Sequence, residues 1–292
     1  MVKGRITKGV GGLYFVDTDD GVFKCNARGI FRKDNVKPAV GDFVFISDIP
    51  SLDDVSEKTG IIEEIIPRIN MLKRPWVANV QQALIVFSIV SPSINLDLLD
   101  RIIVLAEEQG LEVVICLNKA DLCPEEEMRK IKELYEKAGY RVIGVSAISG
   151  MGIAEIKDVL VGKTSVFAGP SGVGKSSITN CLIPSAQMEV GEISEKISRG
   201  KHTTRHAELL QVEHDSYVVD SPGFSNVSFE HIKRNELKRY FNEFGGNDKC
   251  KFLDCLHLNE PGCFVKEQVG GEISPVRYDR YVRFLDDTSG GS

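Results

Sequence analysis

Residues Gly169-Pro170-Ser171-Gly172-Val173-Gly174-Lys175-Ser176 carry the spacing G-x-x-x-x-G-K-[ST], which suits phosphate binding. A short β-branched apolar run, Thr164 to Ala168, precedes them, and Ser176 to Ile183 reads as a helix. Glycines at 169, 172 and 174 let the backbone turn tightly, so that its N–H groups converge on phosphate oxygens at a helix N-terminus. Lys175 reaches the β- and γ-phosphates, Ser176 offers a hydroxyl to Mg²⁺, and Ser177 completes the nucleotide-side set. The alternative is a glycine-rich turn opening an ordinary helix; the flanking strand and helix favour the phosphate loop.

A phosphate loop does not select a base. Glu112 to Leu117 is a second apolar run, and it ends in Asn118-Lys119-Ala120-Asp121. The Asp121 carboxylate can accept from the two adjacent N–H donors on guanine's edge, which adenine lacks. Asn118 is expected to brace the loops and Lys119 to lay its stem along the base. A third run, Arg141 to Val145, ends in Ser146-Ala147, small enough for a backbone N–H to approach the guanine carbonyl oxygen. Downstream, Tyr217-Val218-Val219-Asp220-Ser221-Pro222-Gly223 delivers Asp220 toward Mg²⁺ and lets Gly223 follow the γ-phosphate. Gly200-Lys201-His202-Thr203-Thr204 supplies a threonine, Thr204, for a second Mg²⁺ contact.

These five pieces form the GTPase set in an unusual order: the base-reading pair comes before the phosphate loop. That order resembles the circularly permuted GTPases. With the flanking regions it closely resembles the RsgA (YjeQ) family of ribosome-small-subunit-dependent GTPases. Domain ends usually lie close together at the surface, so joining old termini is physically easy. The Gly150-to-Lys163 segment, with one helical turn pattern, serves as the joint.

The elements that must position these residues follow from patterning. Five short alternating runs lie within residues 1–67 (Val2–Thr7, Leu13–Asp17, Gly21–Asn26, Asp42–Ser47 and Gly60–Ile66) and predict an OB-fold β-barrel. Lys24 to Lys37 holds Lys24, Arg28, Arg32, Lys33 and Lys37 around Phe31; it reads either as a solvated loop or as an RNA contact, and the barrel favours RNA. Residues 68–79 read as a linker. Residues 80–229 alternate strands and helices (Gln81–Val90, Leu96–Glu108, Glu125–Ala138), which predicts an α/β P-loop domain with a mostly parallel sheet and ligands at the strands' carboxyl ends.

Residues 230–292 change character. A basic helix is expected over Ile232–Phe241, followed by Cys250-x4-Cys255-x-His257-x5-Cys263. Three thiols and an imidazole at this spacing suit one structural, tetrahedral Zn²⁺, and a segment this small needs such a staple. Pro275 to Leu285 reads as a final helix with Tyr278, Tyr281, Val282 and Leu285 on one face, and Asp286 to Ser292 as a disordered tail.

Bulk properties exclude other classes. Over 292 residues, 42% hydrophobic and 27% charged content are ordinary for a globular chain. No apolar run approaches a membrane span, and Met1-Val2-Lys3-Gly4-Arg5 lacks a signal-peptide core. Seven cysteines with no such leader point to a reducing cytoplasm rather than a disulfide framework. A formal net charge of −6 means that RNA contact must use local patches.

Residues 189–205 read as a mobile switch that closes on the γ-phosphate and Mg²⁺. The position after Gly223, often glutamine in GTPases, is Phe224, which cannot orient water, so intrinsic hydrolysis is expected to be slow. His202 is the replacement candidate, with Lys175 and Thr204 completing the catalytic set, and the family resemblance places a histidine there too. The resemblance further implies a monomeric GTP/GDP-binding factor in late maturation of the small ribosomal subunit, touching its rRNA and stimulated by it. A nucleotide-gated RNA adaptor with incidental hydrolysis is the competing reading. An ATP-dependent small-molecule kinase would leave Asn118 and Asp121 unexplained. The barrel, entering through residues 68–79, is expected to matter more for affinity than for rate, and the C-terminal module, which follows Gly223 closely, to couple to the switch.

Overall fold

The computed structural model describes residues 1–29, 31, 36–49, 58–73, 75–186, 207–220, 227–245 and 249–289. The chain forms two compact units. One comprises Met1–Gln82, Lys157–Phe167 and Leu182–Gly223; the other comprises Ala83–Ile156, Ala168–Cys181 and Phe224–Ser292.

The first unit begins with strands β1 (Val2–Val10), β2 (Leu13–Thr18), β3 (Gly21–Ala27), β4 (Phe43–Ile49) and β5 (Thr59–Ile65). Their order, β1-β2-β3-β5-β4 with β4 returning to β1, closes a five-stranded barrel of OB-fold type. Among the described barrel strands, β3 and β5 pair in parallel and the others antiparallel. Alternation explains the closure: Ile6, Val16, Phe23, Cys25, Val44, Ile46 and Ile62 are buried inside, while the residues between them face outward. Arg28, in the basic loop just after β3, pairs with Glu63 of β5 at 2.8 Å. Arg32 and Lys33 lie outside the described residues.

Residues 68–79, read as a linker, carry secondary structure of their own. They fold as a hairpin of β6 (Met71–Lys73) and β7 (Trp76–Ala78). Arg68 grips the fully buried Asp42 through two bonds, 2.6 and 2.8 Å, and Asn79 donates to the Gly41 carbonyl at 3.0 Å. Three-residue strands are too short to display a period, so the sequence pattern could not show them.

The barrel is also joined to this unit's nucleotide strands, which are β11 (Thr164–Ala168), β12 (Glu208–Glu213) and β13 (Ser216–Asp220). The strands β8 (Gln82–Ser88), β9 (Glu112–Asn118) and β10 (Arg141–Gly144) precede them in the chain. β1 pairs with β12 at Lys8↔Glu208, reinforced by a 2.9 Å ion pair; β12 and β13 are antiparallel, and β13 runs parallel to β11. The barrel, expected to enter through residues 68–79, is thus also joined to these strands by backbone pairing.

In the second unit, β10-β9-β8 form a layer with β9 and β10 parallel. All seven residues of β8 are buried, which is why it reads as a continuous apolar run. Helix α1 (Leu96–Glu108) is capped by Asn95, whose Oδ1 accepts from the Leu98 N–H at 3.0 Å, a contribution of about 1 kcal/mol. Helix α2 (Glu125–Lys137) begins immediately after Pro124, which stands at its N-cap. The short α3 (Ile153–Leu160) and α4 (Lys175–Leu182) follow in sequence.

The C-terminal part of this unit packs Phe229, Ile232, Leu237, Phe241, Phe244, Tyr281 and Phe284 against Val104 and Leu105 of α1. Each such aromatic contributes roughly 1.5–3 kcal/mol by burial. The helix expected over Ile232–Phe241 is absent; only a 3-10 turn, Leu237–Tyr240, forms. The gap of five between Ile232 and Leu237 cannot keep both on one α-helical face, yet both are buried. Helices α5 (Phe264–Gln268) and α6 (Pro275–Phe284) complete the unit. Thr288 is buried and Ser289 bonds the Ile232 carbonyl, so the chain stays packed through 289; only 290–292 lie outside the described residues.

Candidate functional site

The phosphate loop folds because glycine stands where no side chain fits. Gly169 has φ +131°, and a Cβ there would lie 2.1 Å from the Val86 carbonyl oxygen. Gly174 has φ +93°, and a Cβ there would lie 2.2 Å from Asn118 Nδ2. The helix that follows starts on time, with the Ile178 N–H bonding the Gly174 carbonyl at 3.0 Å. Pro170, Ser171, Gly172, Ser176 and Ser177 stay at least partly accessible, and Val173 is buried. Lys175 folds back onto its own loop, donating to the carbonyls of Gly169 at 2.8 Å and Pro170 at 2.7 Å. Burial lowers its ammonium below the usual lysine range.

Asn118, 3% exposed, binds two loops at once. Its Nδ2 donates to the Val173 carbonyl at 2.7 Å, and its Oδ1 accepts from the Ala147 N–H at 3.4 Å. Lys119 adopts φ 59°, and its Nζ donates to the Ser91 carbonyl. A lysine in the left-handed region is strain of the sort held at functional sites. Asp121 is exposed within a 3-10 turn, Ala120–Leu122, tied down by the Ala120 N–H on the Val145 carbonyl at 2.9 Å. Ser146 is fully buried and its Oγ accepts from the Ser149 N–H at 3.2 Å. Asn118, Lys119, Asp121, Ser146, Ala147 and residues 169–177 thus converge within one unit. Sequence reasoning missed Cys181, whose thiol donates to the Ala147 carbonyl at 3.3 Å, and the Ser91 carbonyl. No motif marks a carbonyl acceptor.

Asp220 is the last residue of β13. The Asp220 side chain and Gly223, together with His202 and Thr204, lie outside the described residues.

The four C-terminal ligand candidates do meet. The ligand atoms of Cys250, Cys255, His257 and Cys263 all lie within 4.8 Å of one another. His257 Nδ1 is 3.6 Å from Cys250 Sγ and 3.4 Å from Cys263 Sγ, close to the edge of about 3.6 Å that Zn–S and Zn–N bonds at a tetrahedral angle define. His257 reaches inward through a φ of 59°. Burial pushes the Cys255 thiol up to about 12 and holds the His257 imidazole down to about 4; a dication among them would reverse the thiol's preference. Three thiolates around Zn²⁺ leave one net negative charge. Lys238, 4% exposed, lies beside them with Nζ on the Cys255 carbonyl at 2.7 Å. The donor set and its counter-charge therefore fit a zinc ion. Tyr278 and Tyr281 hold the knuckle through the His257 and Leu256 carbonyls at 2.6 and 2.7 Å.

α6 presents an unexpected face: Arg277 is 1% exposed and Arg280 6%. Asp100 of α1 accepts from Arg277, from Arg280 and from the Tyr135 hydroxyl, and Glu243 takes the rest of the Arg277 fork. The acids, one of them mid-helix among apolar neighbours, are what permit two buried guanidiniums.

No described helix is long and apolar enough to cross a membrane. The RsgA GTPase family model matches residues 65–230 and the RsgA N-terminal domain model residues 3–58. A protein of Alkaliphilus metalliredigens named small ribosomal subunit biogenesis GTPase RsgA is 45% identical over 289 residues, 98% of each chain. Its namesake in Caldanaerobacter subterraneus subsp. tengcongensis is 47% identical, over 97% of this chain and 95% of that one. The crystal structure of YjeQ from Thermotoga maritima superposes with a TM-score of 0.83 at 40% identity, covering 97% of both chains. That of YloQ, described as a circularly permuted GTPase, gives 0.80 at 37%, covering 98% of this chain and 94% of that one. A barrel, a permuted P-loop domain and a Cys₃His module in that order, with matches along nearly the whole chain, place this protein in the RsgA GTPase family.

Proposed function

We propose that the protein is a nucleotide-timed checkpoint on the small ribosomal subunit, docking on rRNA with GTP bound and leaving after hydrolysis. It is a GTPase of small-subunit maturation, as its family and named relatives have it. The observation that carries the nucleotide half is Asn118, which locks the phosphate loop and the Ser146-Ala147 loop into one base-and-phosphate cradle. Within it, Asp121 reads guanine, Lys119 covers the base, a backbone N–H of the Ser146-Ala147 turn approaches the guanine carbonyl oxygen, and residues 169–177 hold the phosphates.

Mg²⁺ would be held by Ser176 and Thr204, with Asp220 behind it, and supplies charge neutralisation for phosphoryl transfer. His202 would orient water and Gly223 follow the γ-phosphate. One Zn²⁺ would be held by Cys250, Cys255, His257 and Cys263. The working domains would be the barrel (1–67), its hairpin connection (68–79), the nucleotide domain (80–229) and the zinc module (230–292). The barrel's basic surface would face rRNA, and the protein would act as a cytoplasmic monomer. GTP turnover measured against isolated ribosomal subunits tests the proposal.

A further inference from the structure

The barrel places one buried cation against the start of the two strands that lead to the phosphate loop and to Asp220. Arg5 of β1 is 7% exposed, and its guanidinium lies 4.8 Å from the Phe43 ring centre and 4.9 Å from that of Tyr217. It donates to Thr164 Oγ1 at 2.6 Å and to the Asn79 carbonyl at 3.4 Å, both neutral acceptors, while its Nε has no hydrogen-bond partner among the described residues. Burial brings the guanidinium down to about 10. A buried arginine held by rings and neutral oxygens is an expensive way to fill space.

Its partners are themselves paired. Thr164 and Tyr217 face each other across β11 and β13; Arg5 and Asp17 face each other across β1 and β2. The Tyr217 hydroxyl closes the square on Asp17 Oδ2 at 3.3 Å. Three residues beyond Tyr217 stands Asp220, and five beyond Thr164 stands Gly169. A few residues further along β1, Lys8 pairs with Glu208 in the strand that emerges from the Gly200-to-Thr204 segment. β1 therefore holds the strands bordering both segments that sense the γ-phosphate. The guanine-reading residues and the phosphate loop have their bracing contacts elsewhere, around Asn118.

We infer that Arg5 is a positioning residue for GTP hydrolysis: through Thr164 and Tyr217 the barrel sets the β12–β13 hairpin, and with it the turnover rate, without setting nucleotide affinity. The inference rests on the GTPase reading of the same site. It also departs from the expectation that the barrel serves subunit affinity and leaves basal turnover untouched.

The test uses the full chain and two readouts, GTP turnover and the equilibrium affinity for a fluorescent GDP analogue, with the melting temperature as a check on folding. In Arg5→Met, kcat falls by about fivefold or more while GDP-analogue affinity stays within about twofold. Arg5→Lys, which keeps a charge and a donor for Thr164, recovers part of the rate. Tyr217→Leu reproduces the loss, and the double variant is no slower than the slower single one, as expected for two members of one unit. An unchanged kcat in folded Arg5→Met overturns the inference, and so does a parallel loss of rate and affinity. Absence of turnover in the unmodified chain would instead remove the GTPase reading on which the inference stands.

Discussion

Asn118 Nδ2 donates to the Val173 carbonyl at 2.7 Å across 55 residues of sequence. The first residue of the base-reading tetrapeptide is thus also the clamp on the phosphate loop. Gly174 belongs to the same contact, since a Cβ there would meet Nδ2 at 2.2 Å.

Asn118→Ala leaves the buried Val173 carbonyl without its side-chain partner and frees the Ala147 N–H. Losing such bonds costs about 1–3 kcal/mol. GDP affinity should fall roughly 5- to 150-fold, read by fluorescent-nucleotide titration. Gly174→Ala should behave likewise, because the added methyl pushes Asn118 away.

Asp121 lies exposed at the mouth of the cradle, where its carboxylate matches guanine's paired donors. GTP and GDP should displace a bound guanine nucleotide while ATP does not. Asp121→Asn should shift preference toward xanthine nucleotides, whose edge replaces a donor with an acceptor. Competition binding with four nucleotides decides this, and equal ATP and GTP affinity in the unmodified chain would contradict it.

Asp100 carries Arg277 and Arg280 at buried positions between α1 and α6. Removing one member of such a set strands the others. Arg277→Met should destabilise the second unit by about 3–5 kcal/mol, seen as a lowered denaturation midpoint. Asp100→Leu together with Arg277→Met, Arg280→Leu and Glu243→Gln, which also removes the carboxylate left without Arg277, should recover much of that loss.

The nucleotide motifs and the Cys₃His spacing were legible because their chemistry fixes residue types at fixed intervals. The barrel was legible because its alternation is clean. What stayed hidden had no periodic signature. The β6–β7 hairpin is held by Arg68 on Asp42 rather than by a pattern. The 232–241 segment carries enough apolar residues for a helix, but its burial follows the neighbouring aromatic cluster. Nothing in the final helix marks Arg277 and Arg280 as buried, because Asp100, which receives them both, lies far away in sequence. Arg5 reads as one more charge on a strand until the rings of Phe43 and Tyr217 are seen around it.

Metal analysis of the purified chain should find about one zinc per molecule, retained through mild chelation. Cys263→Ser should lose the metal and, because the module follows Gly223 by only a few residues, should weaken stimulation by small subunits more than it weakens basal turnover. Zinc absent from folded protein would contradict the assignment of Cys250, Cys255, His257 and Cys263.

GTP turnover at fixed protein concentration, measured against rising amounts of small subunits, large subunits or bare RNA, tests the checkpoint most directly. The predicted result is a slow basal rate that climbs about tenfold or more, about 1.4 kcal/mol or more of barrier, and saturates with small subunits alone. A rate indifferent to small subunits, or raised equally by all three additions, would contradict it.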